Sequence, residues 1–304
     1  MTYSLRIAIL VLFLCFKTAV FAFGESAPEG DQQIMDFSLA GFGEKGKKAW
    51  DIAGKSADIS TDTIRLKDVT GNFYGQSEDV KLMSDRGDFN KQEALLHLEE
   101  NVVITTSSGA KLTTDSLDWD RKKKLVSTKE LVNIEKNNLT AISSGATGNP
   151  DLNMMTLEKD VRVELAPEAP DLREEVGAPP SAQKGKIVIT CDGPVQIDYA
   201  KNVAAFNRNV RVEKEDIQIY SDTMEVYFTD KKPADSGAAG ISSSLMGGSI
   251  DKIISRGNVK IIQGQNTSYS DEAVYNGADK KIVLSGQPRL ILYSAEDMNA
   301  SFGN

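Results

Sequence analysis

The chain has 304 residues, 40% of them hydrophobic, with one histidine and a formal charge of -9. That length and apolar content leave room for two domains with cores of their own and exclude a disordered chain. The acidic balance argues against nucleic acid as a partner, because binders of phosphate backbones concentrate Lys and Arg.

Arg6 precedes the apolar run Ile7 to Phe16, and Val20-Phe21-Ala22 offers small residues where a signal peptidase reads. Residues 1–23 are therefore expected to be a signal peptide or, if retained, an apolar helix that anchors the chain in a membrane through residues 7–23, with Lys17 in its midst. Cys15 lies in this leader and Cys191 in the body. A cleaved chain has no internal disulfide, and Cys191 reads as a buried strand residue.

Residues 24–49 are rich in Gly, Glu and Lys and read as a tether. Folded structure is predicted from Trp50, a core anchor at the start of a strand, through Ile64-Arg65-Leu66. Apolar residues then fall on every second position in Val80-Lys81-Leu82, Leu96-His97-Leu98, Val102-Val103-Ile104 and Leu117-Asp118-Trp119, the side-chain period of a sheet with one buried face. Leu131 to Ile134 and Asp160 to Leu165 close a first unit, 50–165. Four of the nine prolines stand at 167, 170, 179 and 180, so 166–186 reads as a linker. Strand patterning resumes over 187–304, interrupted by a Gly/Ala/Ser-rich stretch, 231–249, read as a flexible loop between strands.

One interval recurs. Eleven residues separate Val132 from Ser143, Val210 from Ser221 and Val259 from Ser270, and twelve separate Val102 from Thr114. The unit is a repeated strand–turn–strand element. Its Ser/Thr-Asp landmarks are expected to begin strands, each hydroxyl bonding a nearby turn amide. Hairpins of this kind stacked in series predict an all-β body of antiparallel strands, with no sustained helical periodicity beyond the leader.

Chemistry is sparse. His97 is the only histidine, flanked by Leu96 and Leu98 as the outward residue of a strand, so neither a histidine triad nor a multi-histidine metal site is available. Asp118 with Asp120 fits strand alternation better than a calcium loop, which would gather more oxygen ligands. Arg121 to Lys124 reads as a solvated hairpin turn. The chain is expected to have no catalytic residues, no metal and no cofactor.

Three segments in order, Gly257-Asn258-Val259-Lys260-Ile261, Ser270-Asp271-Glu272-Ala273-Val274-Tyr275-Asn276 and Lys281 to Leu290, resemble the LptA (organic-solvent-tolerance, OstA-like) family of periplasmic lipopolysaccharide-transport proteins. The first half, with Trp50 to Ala57 and Leu117-Asp118-Trp119-Asp120, resembles the LptC family, as does an N-terminal apolar segment. The resemblance implies one or two β-jellyroll (β-taco-like) modules whose apolar groove holds the lipid A acyl chains of lipopolysaccharide between inner and outer membrane. It implies a periplasmic location, soluble or anchored, and partners in an inner-membrane ABC transporter complex and other Lpt jellyrolls docked edge to edge, with self-association a further option. The groove candidates are Val102, Ile104, Leu117, Trp119, Val210, Val212, Met224, Val226, Val259, Ile261, Ala273 and Tyr275. The rival reading is a structural or adhesive envelope β-solenoid with no lipid cargo.

Overall fold

Alternation runs along strands about twice the usual length, and the backbone creases each long strand near its middle. A computed structural model describes residues 32–42, 46–74, 79–149, 154–166, 185–229 and 249–293. The expected leader and its helix, most of the Pro-rich linker and nearly all of the 231–249 loop lie outside the described residues. Among the described residues no helix is long and apolar enough to cross a membrane.

The first nine strands are β1 (Gln32–Phe42), β2 (Lys48–Ile59), β3 (Thr63–Tyr74), β4 (Asp79–Asn90), β5 (Leu95–Thr106), β6 (Lys111–Asp120), β7 (Leu125–Lys136), β8 (Leu139–Asn149) and β9 (Met154–Leu165). They are followed by β10 (Ile187–Cys191), β11 (Val195–Asp198), β12 (Val203–Lys214), β13 (Ile217–Thr229), β14 (Ser249–Gln263), β15 (Asn266–Asn276), β16 (Lys281–Ser285) and β17 (Arg289–Ile291). All described pairings are antiparallel and join strands in chain order. Two positions in the order are filled by broken strands. The pair β10 and β11 lies between β9 and β12, and the pair β16 and β17 lies along β15. Each break carries a proline, Pro194 or Pro288, which cannot donate to a ladder.

The creases have a common construction. Glu100 and Asn101 in β5, Arg208 and Asn209 in β12, and Gly257 and Asn258 in β14 are consecutive residues of positive φ, and the register shifts across each pair. Asn tolerates this backbone better than most residues because its short amide can bond locally. Here the amide reaches an aspartate on the preceding segment: Asn101 donates to Asp85 (2.6 Å), Asn209 to Asp192 (2.5 Å) and Asn258 to Asp222 (2.8 Å). The Ser/Thr-Asp landmarks therefore sit at mid-strand creases and do not begin strands. After Ser84 and Ser221 the aspartate takes the contact from asparagine. The hydroxyls of Ser84, Thr114, Ser143, Ser221 and Ser270 are buried, and those of Ser84 and Ser143 donate to the carbonyls of Arg86 and Gly145.

The recurring interval is a cross-strand pair. Val102 faces Thr114, Val132 faces Ser143, Val210 faces Ser221 and Val259 faces Ser270, with Val69 opposite Ser84 in the same arrangement. Eleven or twelve residues is the length of chain from a crease, around a hairpin, to the neighbouring crease. At the broken strand Cys191 takes the serine position opposite Val161 and is buried, as expected.

Folding at the creases brings the two halves of the long inner strands face to face. Phe73 of β3 and Trp119 of β6 pair with different rows of the sheet, yet their rings meet edge to face with centroids 5.7 Å apart. One buried cluster centres on Leu98, Val102 and Leu117. A larger one extends from Val132 in β7 to Ile250 in β14 and includes Val161, Ile189, Phe206 and Met224. Sheet and core thus continue across the expected linker, because β9 pairs with β10 and β11.

Two expectations are corrected. The stretch read as a tether contains β1, which pairs with β2 from Gln32↔Ile59 to Phe42↔Lys48. Its side chains gave no strand signal because Ile34, Met35, Leu39 and Phe42 remain exposed, and it is held mainly by backbone pairing. Trp50 belongs to neither buried cluster; its indole covers the backbone of Gly41 on β1, where any Cβ would meet the ring at 2.3 Å.

A candidate lipid groove

An apolar groove lies between the two strand halves in the second part of the fold. One wall carries Leu165, Ile187, Ile189, Val212, Lys214, Ile217, Ile219 and Ile261, and the other Met224, Val226, Ile250, Ile253, Ser255, Ala273, Tyr275 and Ile282. Strand β13 supplies both walls by itself, Ile217 and Ile219 before its crease and Met224 and Val226 after it. The alternation that builds a half-buried sheet thereby builds two facing apolar walls. The crease row with Val210, Ser221, Val259 and Ser270 closes the groove along one side.

Polar chemistry on the walls is slight. Ser255 is buried, and the Tyr275 phenol is pushed above its ordinary pKa by burial and, secondarily, by the Asp279 charge. Lys214 is the one charged residue that lines the groove among the described residues. Water held here has almost nothing to bond, so an apolar occupant displaces it favourably.

Six of the twelve groove candidates, Val212, Met224, Val226, Ile261, Ala273 and Tyr275, line these walls. Val210 and Val259 are buried at the crease instead. In the first half, Val102 and Leu117 are buried core, Ile104 packs against them, and Trp119 meets Phe73 edge to face with Arg121 above its ring. The alternation pattern did not single out Leu165, Ile187, Ile189, Ile217, Ile219, Ile250, Ile253 and Ile282. The run Ile187-Val188-Ile189 carried the signal, but only the crease geometry tells which apolar residues face space and which face one another.

His97 sits between strands with its ring nitrogens at Asp118 (2.6 Å) and Glu99 (2.9 Å). Burial opposes its charge, yet the two carboxylates outweigh that and raise its pKa. Asp120 is held below the usual carboxylate range by Lys123 at 2.8 Å within the β6–β7 turn. Arg121 to Lys124 form that turn. Among the described residues no cluster of His, Cys, Asp or Glu could hold a metal.

Comparison with known proteins adds two findings. A family model described as "Lipopolysaccharide-assembly, LptC-related" matches residues 10–166, and one described as "LptA/(LptD N-terminal domain) LPS transport protein" matches residues 193–303. No curated protein matches the chain.

Proposed function

The chain belongs to the LptC-related lipopolysaccharide-assembly family, and from that premise we propose that it is a lipopolysaccharide-transport bridge whose creased strands form two fused jellyroll modules and carry lipid A acyl chains in the groove. The observation that supports this most directly is β13, whose Ile217 and Ile219 line one wall of the groove while the buried Met224 and Val226 line the other. Each acyl methylene moved from water into such walls is worth about 0.8 kcal/mol, so an acidic protein holds an anionic amphiphile by its tails. Transport then needs no covalent step in this chain.

The two matched regions meet where β9 pairs with β10 and β11, so in this reading a joint between bridge modules is made within one chain. The sheet edges left open among the described residues are β1 and the broken strand β16/β17. Both expose apolar side chains, Ile34, Met35, Leu39 and Phe42 on one and Ile282, Val283, Leu290 and Ile291 on the other. Such edges suit strand addition by further Lpt jellyrolls, an inner-membrane transporter partner or a second copy. The reading places the body in the periplasm, with residues 7–23 as leader or inner-membrane anchor.

Photo-crosslinking residues placed at Ile219, Ile261 and Tyr275 in cells test it. Capture of lipopolysaccharide at these positions and not at Lys260, on the opposite face of β14, is expected. Absence of any lipopolysaccharide adduct at the three groove positions, with the outer membrane unchanged on depletion, would support a cargo-free β-solenoid instead.

A further inference from the structure

Lys214 stands where the strand pattern calls for an apolar residue. Val210, Val212 and Lys214 alternate along one face of β12, the first buried at the crease and the other two lining the groove. The same spacing in β7 gives Val132, Ile134 and Lys136. Cross-strand partners share a face, and the registers Lys136↔Leu139, Leu139↔Leu165, Leu165↔Ile187 and Ile187↔Lys214 place all five in one inward row at the strand tips. The corresponding inward tips of β5 and β14 are the uncharged Thr106 and Gln263. Four strand spacings separate the two lysines, about 19 Å along the rim.

Other cations near this row are already paired. Arg162 and Lys186 both bind Glu164, and Arg211 binds Glu213. Neither Lys136 nor Lys214 forms an ion pair among the described residues. A lysine on an apolar wall keeps its stem against the wall and carries its ammonium to the nearest water, which here is the mouth of the groove. That is also the boundary at which an amphiphile with buried chains must place its polar head. We infer that Lys214, with Lys136 further along the same rim, binds the anionic headgroup of the cargo, the chemistry being a phosphate monoester, and so selects phosphorylated amphiphiles over neutral ones.

This inference rests on the proposed groove function, and the test separates the two. The full chain and its Lys214→Gln, Lys214→Arg and Lys260→Gln variants are titrated with lipid A and with the same lipid A stripped of phosphate by phosphatase. Lys214→Gln is expected to weaken binding of the phosphorylated form by about three- to fivefold at low salt, the range of an exposed ion pair. It should leave the stripped form unaffected, with Lys214→Arg retaining the preference and Lys260→Gln, on the outer face, changing neither. Equal loss for both lipids, or no loss in Lys214→Gln, overturns the headgroup role while leaving acyl binding in place. Failure of the native chain to bind either lipid overturns both readings.

Discussion

Replacing Gly257 with alanine tests whether the crease depends on the contact between neighbouring strands. Gly257 has a φ of +77°, and a Cβ there would lie 2.3 Å from Asp222 Oδ2 and 2.8 Å from its Cγ. Left-handed backbone costs an L-residue about 1–2 kcal/mol. Asp222 must also swing away from Asn258 and lose a 2.8 Å hydrogen bond, a net loss of about 0.5–1.5 kcal/mol. Together these predict a destabilisation of about 1.5–3.5 kcal/mol. Gly264, in the β14–β15 turn, has a φ of +58° and nothing within 4 Å of a built Cβ, so Gly264→Ala carries the conformational part alone, about 1–2 kcal/mol. Urea titrations followed by far-ultraviolet circular dichroism should place Gly257→Ala below Gly264→Ala by about 1 kcal/mol. In an Asp222→Gly background that gap should close, since the Asp222 side chain, whose Cβ also lies 2.9 Å from the built Cβ, takes both the clash and the hydrogen bond with it. Equal losses in the two glycine variants, or a gap that persists without the Asp222 side chain, would refute the assignment of the crease to this contact.

Two further outcomes follow from other buried or paired groups. His97 holds its proton more tightly folded than unfolded, so its contribution to stability is complete below about pH 6.5 and fades as pH rises through the raised folded pKa. Urea midpoints from pH 5 to 9 should therefore drop across that window relative to His97→Gln, and parallel profiles would contradict the pairing with Asp118 and Glu99. Cys191 occupies the crease position that serine or threonine fills elsewhere, so Cys191→Ser should cost no more than about 1 kcal/mol, whereas Cys191→Leu should cost about 1–3 kcal/mol by overpacking. Burial raises the thiol pKa, so in a Cys15→Ser background alkylation should require unfolding; rapid labelling of the native protein would be inconsistent with this placement.

The contrast between Val259 and Ile261 shows how far sequence pattern reaches. Both are inward by alternation, as are Val210 and Val212. Yet the first of each pair is sealed at the crease and the second lines open space, a difference set by distance from residues of positive φ that alternation does not register. Val102, next to Asn101, follows the same rule in the first half, whereas Leu117 closes into core three residues past Thr114, the distance at which Met224 lines the groove past Ser221. Lys214 and Lys136 were equally visible as residues, but only the register that aligns them with Leu165 and Ile187 makes them a rim.

Local chemistry carried by the sequence alone determined the all-β class, the inward faces and the repeat, because side-chain period and hairpin length are properties of consecutive residues. The valine-to-serine interval was legible for this reason before its meaning was. Strand β1 escaped notice because it is held by backbone pairing and buries little, leaving no trace in composition. The creases, the facing of Phe73 and Trp119, the continuity of β9 with β10 and β11, and the walls of the groove were decided only by tertiary structure, since each depends on residues that meet across strands.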